Sequence, residues 1–218
     1  MNKEVNFSAL QRFEKMGYKL KNAIDAGCHK GNWSKRCKNI YPDANIYLVD
    51  AVKHEGVEAL GTFIEAALAQ ESEERVFYQA QNDLDSSGST LYKDNSNVPF
   101  LNKKVITKKL IDVVPNIKYD WIKMDVQGAE CEIIEGSLPL FKKTKFVQLE
   151  CAVHNNNHGA PKFHEIINYM FNCNFKVFDI ENIYYNNKLM CIDFIFNNKI
   201  LPKIFPCEED FIYYKQYN

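Results

Sequence analysis

A chain of 218 residues has room for one α/β domain with a full core and too little for two comfortable ones. Lysine and arginine number 27 against 28 aspartates and glutamates, and the formal charge of -1 gives no reason to favour nucleic acid or an anionic membrane surface. The seven cysteines (28, 37, 131, 151, 173, 191 and 207) form no C-x-x-C pair and leave one over in any disulfide scheme, so they read as reduced, mostly buried thiols.

The chain opens on Met1-Asn2-Lys3-Glu4-Val5-Asn6-Phe7, which lacks the apolar stretch of a signal peptide, and nowhere do about 18 apolar residues run together. A soluble, cytoplasmic protein without a membrane span is the expectation. Residues 1–21 read as a helical extension, 22–196 as the core and 197–218 as a tail, all within one domain.

The first strand covers 23–25 and stops on Asp25; Gly27-Cys28-His29-Lys30-Gly31 then turns the chain into a helix. Trp33, Cys37, Ile40 and Tyr41 give that helix one apolar stripe, and Pro42 closes it. Residues 47–50 form a strand ending on Asp50. Residues 56–63 look like a weaker helix, and 64–68 and 75–81 read as strands around a polar turn at 70–74. The stretch 82–98 is loop-like, with Leu91 and Tyr92 to pin it down.

A strand over 121–125 ends on Asp125, a helix spans 129–140, and Lys142, Lys143 and Lys145 suit the negative end of its dipole. A strand at 147–150 ends on Glu150. Phe163, Ile166, Ile167, Met170 and Phe171 make a helical stripe that core packing explains, started by Pro161. Strands at 175–180 and 190–196 flank an Asn186-Asn187 turn as an antiparallel hairpin, and the aromatics Phe205, Phe211, Tyr213, Tyr214 and Tyr217 of the tail pack across the sheet edge.

This β-then-α alternation predicts a mostly parallel sheet with helices on both faces. Parallel strand ends share one edge, so Asp25, Asp50, Asp125 and Glu150 converge on one site there. A glycine turn after a first strand lets a cofactor approach the backbone, and an acid ending the second strand binds ribose hydroxyls. The spacing is Gly27-x-x-x-Gly31, neither G-x-G-x-x-G nor a phosphate loop. A cofactor with ribose and no phosphate fits: S-adenosylmethionine. Asp25 would accept hydrogen bonds near the turn or from the methionine ammonium, and the Gly27 backbone would make room for the methionine part.

On the other half of the edge, Asp125 is the first choice of base or acceptor anchor, with Glu150 and His154 on the next strand end and loop as acceptor-binding or proton-accepting groups. Gln127 and Glu130 open a helix, where the dipole favours amides and acids without catalysis. His54, His158 and His164 read as surface or helix-face residues. A divalent metal on Asp125, Glu150 and His154 is the less favoured alternative, for want of close ligand spacing such as H-x-x-x-H. Lys30, Lys35, Arg36 and Lys38 read as a solvated helix face.

Ile24-Asp25-Ala26-Gly27-Cys28-His29-Lys30-Gly31-Asn32-Trp33-Ser34, and above all Trp121-Ile122-Lys123-Met124-Asp125-Val126-Gln127-Gly128-Ala129-Glu130, resemble the FkbM-type methyltransferases. The resemblance continues through Ala66-Ala67-Leu68, Gly88-Ser89-Thr90-Leu91 and Gln148-Leu149-Glu150 and covers 22–196. It implies a class I methyltransferase fold, Rossmann-like, with a seven-stranded sheet and S-adenosylmethionine-dependent O-methylation. The acceptor it implies is a hydroxyl of a sugar, nucleotide-sugar or natural-product glycan, as in polysaccharide biosynthesis. Its cofactor contacts map onto Asp25, Gly27, His29, Gly31, Asp50 and Ala51; the family commonly has Asn at His29 and Glu-Pro at Asp50-Ala51, and Asp50 preserves the chemistry. The family's Leu-Asp pair is Leu110-Ile111 here, with Asp112 one place on, so no role is carried to it.

Two rival functions fit parts of the sequence. Tyr184-x-x-x-Lys188 matches the Tyr/Lys pair of nicotinamide-dependent sugar-modifying oxidoreductases, but it straddles a hairpin turn where that pair needs a helix. A non-catalytic protein keeping the fold is the other. A nucleic-acid methyltransferase ranks lower, because an N-P-P-Y-like motif is absent. Homo-oligomerisation stays open.

Overall fold

The computed structural model describes residues 8–81, 88–95, 99–155 and 157–202. In chain order its elements are α1 (Ala9–Lys15), β1 (Asn22–Ala26), α2 (Asn32–Ile40), β2 (Asn45–Asp50), β3 (Thr62–Glu65), β4 (Ala67–Leu68), β5 (Glu74–Ala80), β6 (Phe100–Lys108), α3 (Leu110–Val113), β7 (Trp121–Met124), α4 (Glu130–Gly136), α5 (Leu138–Phe141), β8 (Phe146–Ala152), α6 (Phe163–Asn172), β9 (Phe175–Asn186) and β10 (Lys188–Asn198). Seven strands form one sheet in the order β3-β2-β1-β7-β8-β10-β9, and β4-β6-β5 form a small second one. The first five strands of the large sheet are parallel, and β10 and β9 run antiparallel at its end.

Alternation along the strands sorts the core onto two faces. Ala23, Trp121 and Phe146 point to the layer of α1 and α2, whereas Ile24, Ile122 and Val147 point to the layer of α3 to α6. The helix α1, started by a Ser8–Gln11 capping box, buries Phe13 completely. That ring stands edge-on to Trp121 at 4.9 Å and to Phe146 at 4.7 Å, so the N-terminal segment is part of the core. Truncating such a ring costs about 3–5 kcal/mol. The apolar stripe predicted for α2 is buried at Trp33, Cys37 and Tyr41.

Several expected elements come out differently. Residues 56–63 hold a single 3-10 turn, Val57–Ala59, before β3 begins at Thr62. Gly56 adopts a left-handed φ of 80°, and a side chain on Gly61 would collide with the Ile46 carbonyl, so the chain lies flat against β2 instead of coiling. The strand expected over 64–68 splits: β3 pairs with β2, then Ala66 donates to the Asp50 carbonyl, and β4 crosses to β6. The strand β6 was not anticipated, since its lysine-rich run is exposed along most of its length.

The helix expected over 129–140 breaks at Ser137, because Pro139 in the first turn of α5 cannot donate to the preceding turn. Lys145 leaves the helix end and pairs with Asp120 at 2.7 Å. Phe171 is 61% exposed with the Lys199 ammonium 3.8 Å from its ring centre, so the last member of the α6 stripe is not core. Pro161 precedes the N-cap Lys162 and lies outside the helix. The hairpin is longer than expected, with Asn187 at φ 58° as the turn residue. Residues 82–87 and 96–98 of the expected loop, Cys207 and the tail aromatics lie outside the described residues; the other six cysteines are free thiols.

Candidate active site

A cavity of about 450 Å³ opens at the C-terminal ends of the parallel strands, where strand order reverses between β1 and β7. At one end the chain leaves β1 through Gly27, at φ 68°, where any side chain would strike the Asp125 carbonyl. Only glycine lets the chain after β1 pass so close to the end of β7. Asp50 is fixed beside Gly27 by two amides: His29 donates to Oδ2 at 2.8 Å and Val52 to Oδ1 at 3.0 Å. Each oxygen keeps a lone pair for a ligand. Burial raises the Asp50 pKa, and these two bonds work against that rise. The His29 and His54 rings meet edge-on at 4.3 Å, and Ala66, Ala67 and Leu68 supply an apolar wall.

The other end is built on β7 and β8. Lys123 lies within 3.4 Å of both Asp125 and Asp25, with its side chain 12% exposed. Burial alone would lower the lysine pKa, but Asp125 and Asp25 outweigh it, so the ammonium stays charged. Burial opposes ionisation of Asp125 as well, yet Lys123 and a hydrogen bond from Gln127 hold its pKa low. Glu150 goes the other way, because the Asp125 charge and then burial raise its pKa. Gln127 joins the two, its amide donating to Asp125 Oδ1 at 2.8 Å and to Glu150 Oε2 at 2.7 Å.

A smaller cavity of about 130 Å³ lies on the far side of Gln127 and Glu150, which line both. His154 lines this smaller one with Glu130 and Asn157. Glu130 accepts from the Val126 and Gly128 amides at 3.1 Å each, the capping role expected of it, and burial pushes it up to about 7.

Gly27, His29, Asp50, Ala51, Asp125 and Glu150 thus line one cavity, and Glu150 and His154 line its neighbour. Two sequence candidates are not in either lining. Asp25 is fully buried, accepting from Ser34 Oγ at 2.7 Å, and reaches the site through Lys123. Gly31, at φ 71°, is the N-cap of α2 beneath Leu60. Among the described residues no group of three or more His, Cys, Asp or Glu side chains could hold a metal ion, and His154 stands in a different cavity from Asp125.

Sequence reasoning missed Lys123, Tyr184 and the bridging role of Gln127. Lys123 had a signal: a lysine inside the apolar run Trp-Ile-Lys-Met needs a buried anion, and Asp125 stands two places on. Tyr184 had none, because it reaches the large cavity only when β9 folds back along β10.

Five parallel strands, an antiparallel pair at the end and a cavity at the switch point define a class I methyltransferase fold. Magnesium protoporphyrin IX methyltransferase from Synechocystis PCC 6803, solved with bound SAM, is 15% identical, with 87% of this chain and 74% of that one covered at a TM-score of 0.50. An S-adenosylmethionine-dependent methyltransferase from Clostridium acetobutylicum is 9% identical, with 87% and 88% covered at 0.51. At such identity the likeness is one of fold. The chain itself belongs to the FkbM methyltransferase family, whose domain matches residues 24–177. No curated protein matches it.

Proposed function

We propose that the protein is an S-adenosylmethionine-dependent O-methyltransferase acting on a hydroxyl of a sugar, nucleotide-sugar or glycan. One observation carries the reading: a single cavity is lined by the Gly27 turn, by Asp50 with lone pairs left for a ligand, and by the Asp125–Gln127–Glu150 group. The residues suit the methyl donor. Gly27 gives room for a methionine moiety, Asp50 has lone pairs for two ribose hydroxyls, and Ala66 to Leu68 offer an apolar face. His29 and Ala51 complete that part of the lining. When bound, the sulfonium supplies an activated methyl group with a good leaving group already in place.

The protein's remaining task is to align an acceptor hydroxyl and dispose of its proton. Ionised Asp125 accepts the hydrogen bond of that hydroxyl and aims its oxygen. Alignment can supply about 7–11 kcal/mol, against a rate factor of about 10² to 10⁴ from a placed base. Asp125, held ionised by Lys123, is a weak base, so alignment takes the larger share. Glu150 and His154 lie along the route from Asp125 to the smaller cavity and would pass the proton outward. Tyr184 and Lys188 stand on different strands across the Asn187 turn, so nothing favours the nicotinamide reading.

No described helix is long and apolar enough to cross a membrane; within this proposal the enzyme works in the cytoplasm on a small-molecule acceptor, with self-association open. Labelled-methyl transfer to a panel of nucleotide-sugars and glycans, read by mass spectrometry, tests the proposal. A methylated hydroxyl is expected. Cofactor binding with no transfer to any acceptor would favour a non-catalytic protein, and nicotinamide binding without S-adenosylmethionine binding would end the reading.

A further inference from the structure

Gln127 occupies the left-handed region at φ 56°, a conformation that glycine or asparagine adopts more readily. Two side chains from distant segments hold it there. Thr90 Oγ donates to the Gln127 carbonyl at 2.8 Å, and the Asn157 amide donates to the same oxygen. Both residues are buried. Their loops are also tied to each other: Asp94 and Asn157 form a bridge, and the His158 amide donates to the Lys93 carbonyl at 2.7 Å. A clamp of two loops thus grips one backbone carbonyl.

The conformation puts the Gln127 amide nitrogen between two carboxyl groups, where both of its hydrogens find oxygens. Only this amide orientation is sensible, since both neighbours are acceptors. The remaining oxygens face other donors, Lys123 at 3.4 Å for Asp125 Oδ2 and Cys191 Sγ at 3.2 Å for Glu150 Oε1. The two acids therefore form one pair with a donor at every corner.

We propose that Gln127 is a positioning residue of the transfer reaction: its amide ties Asp125 and Glu150 into one hydrogen-bonded pair, and Thr90 and Asn157 hold its backbone in the turn that allows this. The inference rests on the proposed function in taking that pair as the reacting end of the cavity. The charged and titratable groups facing the pair are Lys123 and Asp25 behind Asp125, Glu130 in the turn that follows it, and Cys151, Cys191, Asp193 and Tyr184 beside Glu150. The two carboxyl groups also meet each other directly, and Gln127 is the group whose hydrogen bonds reach both.

The test is an NMR titration of isotope-labelled Asp and Glu carboxyl carbons, with the Glu150 signal assigned through Glu150→Gln. Gln127→Met keeps length and bulk but removes both donors. A hydrogen bond to a charged group stabilises the anion, so both steps of the pair should move to higher pH by about 1 to 2 pH units. Thr90→Val should move them the same way by less. A folded Gln127→Met protein whose pair titrates as in the native protein overturns the proposal. Should that variant melt out, an unmoved titration in Thr90→Val overturns it instead. Neither titration uses donor or acceptor, so a native protein that binds no S-adenosylmethionine sinks the proposed function alone.

Discussion

The two strand pairs whose ends line the large cavity position their acids by different means. At the β1–β2 end, Asp50 is oriented by two backbone amides within 21 residues of it, and Gly27 presents main chain alone. At the β7–β8 end, Asp125 and Glu150 are oriented by side chains, Lys123, Gln127 and Cys191, which depend in turn on loops far away in the chain. A site fixed by backbone tolerates changes in neighbouring side chains and fails when the backbone is blocked. One fixed by side chains can be retuned residue by residue.

Gly27→Ala should break the first end most severely. The new methyl group meets the Asp125 carbonyl, and alanine is strained at φ 68°, so β1 and β7 must separate. Denaturant unfolding should show a loss of about 2–4 kcal/mol together with abolished S-adenosylhomocysteine binding; unchanged stability would mean that the turn is not as close-packed as described. Asp125→Asn attacks the second end alone. Turnover should fall by about 10² to 10⁴, measured by labelled-methyl transfer, and retention of more than half the native rate would remove Asp125 from the reaction.

Glu130, which closes the turn beneath Gln127, gives a finer probe. Burial raises Glu130 to about 7 and Asp193 to about 6, so each holds its proton more tightly folded than unfolded. Their contribution to stability is complete below the ordinary carboxyl range and is lost as pH rises toward those values. The stability deficit of Glu130→Gln should therefore shrink as pH is raised from about 4.5 to about 7, and a constant deficit would contradict the buried, protonated state. Arg12→Ala, which breaks a half-exposed ion pair between α1 and Asp179, lies outside both ends. It should cost at most about 1 kcal/mol and leave turnover alone.

The same contrast explains what could be read from sequence. The glycine turn and the α2 stripe are local patterns that sit where the spacing placed them, but of the four strands expected to stop on an acid only β2 does: β1 runs on to Ala26, β7 stops one residue before Asp125, and β8 continues two residues past Glu150. Asp50, Asp125 and Glu150 still meet at one sheet edge. Asp25 lies buried outside the cavity lining, and its pairing with Lys123 is cross-strand and invisible along the chain. The segment 56–68 was misread because Gly61 meets β2 through tertiary contact, and β6 because exposure on both faces leaves no alternation to read. Gln127, Tyr184 and the Thr90–Asn157 clamp belong to the end assembled from distant loops, where local spacing carries no signal.

Calorimetric titration of S-adenosylhomocysteine into the native protein, Asp50→Ala and Asp125→Asn tests the division of the cavity most directly. Asp50→Ala should weaken binding by about 10- to 100-fold, the loss of hydrogen bonds to a charged group, while Asp125→Asn stays within about threefold of native. Binding lost in Asp125→Asn and kept in Asp50→Ala would contradict that division.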